Sequence, residues 1–153
     1  MHTLYNHSPV RHVLAACRQS NPPLPADAEA GRILFMDDDE SIRSLTQGLL
    51  GNLGYVCDLA KNGEEALQLY QRRLGLGRAY DAVIMDLTVV GGMGGEQTFK
   101  RLRELDPRVR AVVTSGYDSD ELRHHLLGLG IRGYLPKPYR VGELGRLLKT
   151  VAA

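Results

Sequence analysis

Five short and almost entirely apolar runs recur along the second part of the chain. Runs this short are typical of strands that are buried on both faces of a sheet. The predicted strands are residues 33–36, 55–60, 82–85, 111–114 and 133–135.

After each predicted strand, apolar residues recur every three or four positions, which is the spacing of one face of a helix. Gly54 and Pro107 end two of these segments, because glycine favours a helix C-terminal cap and proline disfavours a helical residue before it. The predicted apolar helix faces are Ile42, Leu45, Leu49 and Leu53; Leu67, Tyr70 and Leu74; Phe99, Leu102 and Leu105; Leu122, Leu126 and Leu129; and Val141, Leu144, Leu147, Leu148 and Val151.

This alternation of strands and helices predicts an α/β fold, a parallel five-stranded sheet with helices on both faces. The crossover connections are expected to be right-handed. In such sheets the functional site lies at the carboxyl ends of the strands. The residues that directly follow each strand are therefore the candidates for chemistry.

The first 30 residues lack this pattern. The segment 20–25 contains three prolines, which lack an amide hydrogen and fit neither a helix interior nor a central strand. Residues 1–30 are therefore predicted to form a flexible N-terminal tail or linker, and residues 31–153 a single domain.

Composition and charge narrow the expected partners. The chain has 19 Lys and Arg residues against 18 Asp and Glu, and this near-neutral balance does not indicate a nucleic-acid-binding protein. No apolar run approaches the roughly 20 residues that a membrane helix needs. Cys17 and Cys57 do not make a disulfide framework. We expect a cytoplasmic protein without nucleic-acid or membrane partners.

The predicted strand ends carry carboxylates, hydroxyls and one ammonium group. Carboxylates packed together repel one another, and a divalent cation relieves that repulsion. Oxygen ligands of this kind suit Mg²⁺, while lysine supplies a compact charge for a phosphate. The set fits phosphoryl transfer onto a carboxylate. Its members are Asp37, Asp38 and Asp39 after the first strand, Asp86 after the third, Thr114 and Ser115 at the fourth, and Lys137 after the fifth.

These residues, in this order, resemble the receiver domain of bacterial two-component response regulators over about residues 32–151. Residues 33–38 are similar to the family's first strand with its acidic pair. Asp86 stands where the family has its phosphoacceptor. Lys137-Pro138 resembles a Lys-Pro pair whose peptide bond is usually cis in the family.

The resemblance implies a (βα)5 flavodoxin-like fold of three layers with strand order 2-1-3-4-5. It also implies that a phosphohistidine supplies the phosphoryl group to Asp86, from a sensor histidine kinase or a histidine phosphotransfer protein. Ser115 and Tyr134 match the residues that switch the surface of helix 4, strand 5 and helix 5, through which a homodimer is also implied. The implied Mg²⁺ ligands are Asp37, Asp38, Asp86 and the backbone carbonyl of Thr88.

The chain departs from the family pattern beside the phosphoacceptor. Val90 stands where a proline is common, so a looser loop is expected. Thr88 and Tyr117 occupy two positions that tune the lifetime of the acyl phosphate in the family. The Leu87-Thr88 pair and the glycine-rich stretch 91–95 resemble receivers attached to hybrid sensor kinases.

Two alternatives stand beside this interpretation. Asp37-x-Asp39-x-Ser41 matches a signature of haloacid-dehalogenase-like phosphatases, but that assignment lacks their later acidic pair and leaves Asp86 without a role. The other alternative is a degenerate receiver that only binds partners, although such modules typically lose the acceptor or the acidic pair. We expect a receiver that is not otherwise an enzyme and has no output domain in this chain, since the last predicted helix reaches Val151.

Overall fold

The computed structural model describes residues 31–152, which form one parallel sheet. Its strands lie in the order β2-β1-β3-β4-β5, which confirms the predicted fold. The strands are β1 (Gly31–Met36), β2 (Tyr55–Ala60), β3 (Ala82–Asp86), β4 (Ala111–Ser115) and β5 (Gly133–Pro136).

A helix follows every strand, and side chains cap three of the helices. Asp39, Asn62 and Ser119 each accept a hydrogen bond from an amide in the first turn of the helix that follows. Such caps satisfy amides that have no partner within the helix. The helices are α1 (Glu40–Asn52), α2 (Gly63–Gly75), α3 (Gly95–Leu105), α4 (Asp120–Leu129) and α5 (Val141–Val151).

The helices cover the two faces of the sheet as two separate layers. Side chains alternate along a strand, so Leu34 and Met36 of β1 belong to one core, which α2, α3 and α4 cover. Ile33 and Phe35 belong to the other core, which α1 and α5 cover. All four side chains are fully buried, as the apolar run predicts.

The predicted helix faces are wrong at three positions. Leu45 is 64% exposed, because the side of α1 that meets the sheet carries Thr46 and Leu50 instead. Leu105 and Val141 are also exposed, since each lies at an end of its helix, where the chain leaves or reaches the layer.

The predicted tail, residues 1–30, lies outside the described residues and stays a prediction. Within residues 31–152, no helix is both long enough and apolar enough to cross a membrane.

Candidate functional site

The register of the sheet brings the predicted site residues to one edge. Met36 pairs with Met85, so Asp37 and Asp86 follow paired residues of neighbouring strands. Asp86 in turn pairs with Thr114. Since all strands are parallel, these carboxyl ends lie side by side.

Three carboxylates gather there into an acidic cluster. Asp37, Asp38 and Asp86 each offer an oxygen, and the three oxygens lie within 4.8 Å of one another. Asp37 is fully buried and Asp86 is 6% exposed, whereas Asp38 faces solvent. Thr88 lies beside the cluster, and its amide donates to Oδ1 of Asp86 at 3.3 Å. A set of hard oxygen ligands that is open on one side fits Mg²⁺.

Lys137 reaches this cluster from the end of β5. Its Nζ lies 2.8 Å from Oδ2 of Asp37 and 3.3 Å from Oδ2 of Asp86. The Lys137-Pro138 peptide bond is cis, as the family resemblance implies. One ammonium group therefore bridges two carboxylates whose residues are far apart in the sequence.

Burial and the neighbouring charges together set the pKa values of Asp86 and Lys137. Burial raises the pKa of the Asp86 carboxyl, and the charge of Asp37 adds to that effect, while Lys137 opposes both. Burial lowers the pKa of Lys137, but its hydrogen bond to Asp37 and the charges of both carboxylates outweigh burial, so the net shift is upward. The lysine therefore stays charged at neutral pH.

Backbone contacts hold the acidic residues in place. The amide of Asp39 donates to Oδ1 of Asp37 at 2.9 Å, and the amide of Val90 donates to Oδ2 of Asp38 at 3.2 Å. The first residue of α3 also passes very close to Asp86, since a Cβ on Gly95 would lie 2.9 Å from the Asp86 carbonyl oxygen. Glycine is thus required where the sequence pattern indicates only a turn.

Ser115 and Tyr134 both bind the backbone of Tyr117, in the loop between β4 and α4. Ser115 is 4% exposed, and its hydroxyl accepts from the Tyr117 amide at 3.0 Å. The half-buried Tyr134 donates its hydroxyl to the Tyr117 carbonyl, and the Arg123 guanidinium lies over its ring. Among residues 31–152, neither side chain hydrogen-bonds the acidic cluster.

A hydrogen bond that the sequence pattern did not predict joins α1 to the segment after β5. Thr46 is 1% exposed, and its hydroxyl lies 2.9 Å from the hydroxyl of Tyr139. Beside this pair runs an apolar groove of about 260 Å³, which is also lined by Lys137. We call it the α1 groove; its apolar lining is Ile42, Leu45, Leu49, Pro138 and Tyr139.

Known proteins with similar sequences are signalling proteins. The chain is 29% identical to the sensor kinase CckA of Brucella abortus over 119 residues, which are 78% of this chain and 12% of CckA. It is 31% identical to the transcriptional regulatory protein ZraR of Escherichia coli K12 over 121 residues, which are 79% of this chain and 26% of ZraR. The chain therefore spans only a minor part of each relative.

Solved structures are similar over the same region. The receiver domain of the sensor histidine kinase PA1611 of Pseudomonas aeruginosa, with a magnesium ion coordinated in its active site cleft, has a TM-score of 0.68 and 26% identity. The match covers 80% of this chain and 97% of that domain. The family model of the response regulator receiver domain matches residues 33–149. The chain thus belongs to the response regulator receiver domain family of two-component signalling.

Proposed function

We propose that this chain accepts a phosphoryl group on Asp86 from a phosphohistidine, with Mg²⁺ in the acidic cluster. The observation that carries the proposal is the Lys137 ammonium group bridging Asp37 and Asp86 at 2.8 and 3.3 Å. A positive charge fixed beside a carboxylate, next to an oxygen-lined cation site, suits transfer of an anionic group.

The proposed metal ligands are carboxylate oxygens of Asp37, Asp38 and Asp86 with the backbone carbonyl of Thr88. The three carboxylates lie close enough for one ion, and the fully buried Asp37 supports the site from its inner side. When bound, Mg²⁺ neutralises charge on the transferring phosphoryl group.

In the proposed reaction, a carboxylate oxygen of Asp86 attacks the phosphorus atom. The oxygen–phosphorus bond forms while the nitrogen–phosphorus bond breaks, and the nitrogen keeps the electron pair of the broken bond. The released imidazole then takes a proton from solvent. Lys137 holds its positive charge beside Oδ2 of Asp86, where the negative phosphoryl oxygens arrive.

Contacts around Asp37 and Asp39 disfavour the phosphatase alternative. That alternative needs Asp37 as the nucleophile, but Asp37 is 0% exposed and one of its oxygens already binds Lys137. Asp39 caps α1, since its Oδ1 accepts from the amides of Ser41 and Ile42. Asp86 is the more accessible acceptor.

A switch through Ser115 and Tyr134 is part of the proposal. The Ser115 hydroxyl accepts from the Tyr117 amide and keeps its own proton for a phosphoryl oxygen on Asp86. If Ser115 moves toward that oxygen, the Tyr117 loop follows, and Tyr134 loses or shifts its carbonyl acceptor. The changed surface would comprise α4, β5 and α5, which is also the proposed homodimer contact.

Ser115→Ala is expected to weaken this response without blocking phosphorylation. Beryllofluoride with Mg²⁺ mimics the phosphoryl group, and backbone NMR shifts on α4, β5 and α5 report the response. The variant should show clearly smaller shifts than the wild type, while Ser115→Thr, which keeps the hydroxyl, should restore them. Equal shifts in Ser115→Ala and wild type would rule out the Ser115 coupling.

The α1 groove is the proposed contact for the phosphodonor protein, a sensor histidine kinase or a histidine phosphotransfer protein. Lys137 lines both the groove and the acidic cluster, so a partner seated in the groove lies next to Asp86. Leu45, which is 64% exposed, gives the groove an apolar anchor. A histidine-bearing helix with an apolar face fits such a groove.

Leu45→Asp is expected to slow transfer from a phosphohistidine protein by tenfold or more, since removing a hot-spot side chain from an interface typically costs about 2 kcal/mol or more. Labelling by acetyl phosphate should be unchanged, because that donor needs no groove. Leu76→Asp is the matched control, as Leu76 is 70% exposed and lies beyond α2, outside the groove. Equal slowing by both variants, or with both donors, would remove the groove from the proposal.

The remaining parts of the proposal concern the chain as a whole. We propose that it acts in the cytoplasm through protein partners, and that its only chemistry is gain and loss of its own phosphoryl group.

A further inference from the structure

A second cleft lies at the edge of the sheet opposite the acidic cluster. It has a volume of about 530 Å³ and opens between the loop before β3 and the loop before β4. We call it the arginine cleft, because Arg78, Arg108 and Arg110 line it. Small-molecule sites typically occupy about 300–1,000 Å³.

The two carboxylates in the arginine cleft are already engaged by other donors. Asp106 accepts from the Tyr70 hydroxyl at 2.6 Å and from the Arg108 amide at 3.0 Å. Asp81 accepts from the Arg32 amide at 2.7 Å. These contacts fix the loops and leave neither carboxylate in an ion pair with an arginine of the cleft.

The guanidinium groups of the arginine cleft therefore keep most of their donors free. Within residues 31–152, Arg78, Arg108 and Arg110 form no ion pair, and only Arg110 makes a side-chain hydrogen bond, to the Ala152 carbonyl at 3.0 Å. With the charges of Asp81 and Asp106 included, the three guanidinium groups give the lining of the cleft a net charge of +1, and their spare donors are available to an anion.

Arg73 adds a fourth guanidinium next to this cleft. Its guanidinium lies 5.1 Å from the ring centroid of Tyr80, which lines the cleft. The Nε of Arg73 is buried and has no acceptor among the described residues. Arg73 itself does not line the cleft, so it adds positive charge beside the cleft rather than a donor inside it.

The preference of helix C-termini for positive charge does not explain the positions of all these arginines. Arg72 and Arg73 occupy the last turn of α2, where a positive charge complements the helix C-terminus. Arg78 and Arg108 lie beyond the ends of α2 and α3, where that effect has fallen off. Both side chains are exposed, and what distinguishes them from other surface arginines is that they meet Arg110 in one concavity.

We propose that the arginine cleft binds a small molecule that carries a diphosphate group. The planar guanidinium fork matches phosphate oxygens in a bidentate way, and several forks fit the several oxygens of a diphosphate. A concave site favours a small molecule over a protein surface, which would need a larger and flatter contact. This site is separate from the phosphoacceptor and does not depend on the proposed reaction there.

Calorimetric titration of the full chain with inorganic pyrophosphate, in Mg²⁺-free buffer of constant ionic strength, tests the proposal. We expect saturable one-to-one binding that Arg108→Gln and Arg110→Gln each weaken at least tenfold. Arg101→Gln, on the exposed side of α3, should bind as the wild type does. ADP serves as a second probe: tighter binding than pyrophosphate indicates a nucleotide, and equal binding indicates recognition of the diphosphate alone.

Several results would overturn the diphosphate site. The first is a titration without saturable heat, and the second is sulfate binding with the same heat as pyrophosphate. The third is a loss of binding in Arg101→Gln as large as that in Arg108→Gln and Arg110→Gln. Wild-type binding by both Arg108→Gln and Arg110→Gln would place the anion elsewhere on the chain. Binding that appears only in the double variant Asp27→Asn, Glu29→Gln would mean that the chain's own acidic residues fill the cleft, which also overturns the proposal.

Discussion

Asp86→Asn is expected to take up no phosphoryl group from acetyl phosphate, whereas the wild type should gain one. An amide nitrogen or oxygen is a far weaker nucleophile than a carboxylate oxygen, so the attacking atom is lost. The substitution keeps the size of the side chain, and Lys137 keeps its 2.8 Å contact with Asp37, so the fold should persist. Intact-protein mass spectrometry with Mg²⁺ present reads out the result.

The matched control for this experiment is Asp118→Asn. Asp118 is an exposed carboxylate that pairs with Arg123 outside the acidic cluster. It should be labelled to the wild-type extent, and a metal chelator should abolish labelling of both the control and the wild type. Full labelling of Asp86→Asn would contradict the assignment of the acceptor. Labelling of the wild type that persists in the presence of the chelator would contradict the role of the metal.

Lys137→Ala is expected to slow labelling by acetyl phosphate about a hundredfold, the typical loss when one fixed charge or donor aimed at the transition state is removed. The loss arises because no other described cation lies within 4 Å of the carboxylate oxygens of Asp37 or Asp86. Rates come from the time course of intact mass. Lys137→Arg should not restore the rate, because a planar guanidinium does not replace a compact ammonium between two carboxylates.

Folding and metal binding must be followed in the same variant. Removing Lys137 leaves the fully buried Asp37 without its charge partner, which destabilises the domain. Circular dichroism checks that Lys137→Ala is folded at the assay temperature, and calorimetry should show Mg²⁺ affinity that is no weaker than in the wild type. Lys100→Ala, which removes an exposed lysine of α3, serves as the matched lysine control. A rate within twofold of the wild type would remove Lys137 from the reaction.

The strands were the most predictable part of this fold. A strand that is covered on both faces has no polar side, so a short apolar run such as 33–36 strongly favours a buried strand. The parallel order then places the residue after each strand at one edge, which is why the neighbourhood of Asp37 and Asp86 followed from the sequence. Which atoms meet did not follow, since the contact of Lys137 with Asp37 spans 100 positions.

Helix surfaces were less predictable, and α1 illustrates the reason. Leu45 fits the apolar spacing but is exposed, while the polar Thr46 is buried. Thr46 tolerates burial because its hydroxyl meets that of Tyr139, which lies 93 positions away. A pattern read along one helix contains no information about such a partner, and the α1 groove therefore appears only in three dimensions.

The sequence pattern did not predict the arginine cleft, for a related reason. Arg78 and Arg108 lie in different loops, and each is an ordinary loop residue when considered alone. Only the pairing of β3 with β4 brings the two loops together. The free guanidinium groups become informative once Asp81 and Asp106 are seen to be engaged elsewhere.

Mapping the phosphoryl group on the wild-type chain tests the central claim most directly. Borohydride reduction converts an aspartyl phosphate to homoserine, which survives digestion and marks the site. Trypsin separates the candidates, because Asp37 and Asp39 lie in the peptide 33–43 and Asp86 lies in the peptide 79–100. We expect homoserine at position 86 alone. Homoserine at position 37 or 39 would contradict the receiver assignment of the site and support the phosphatase alternative.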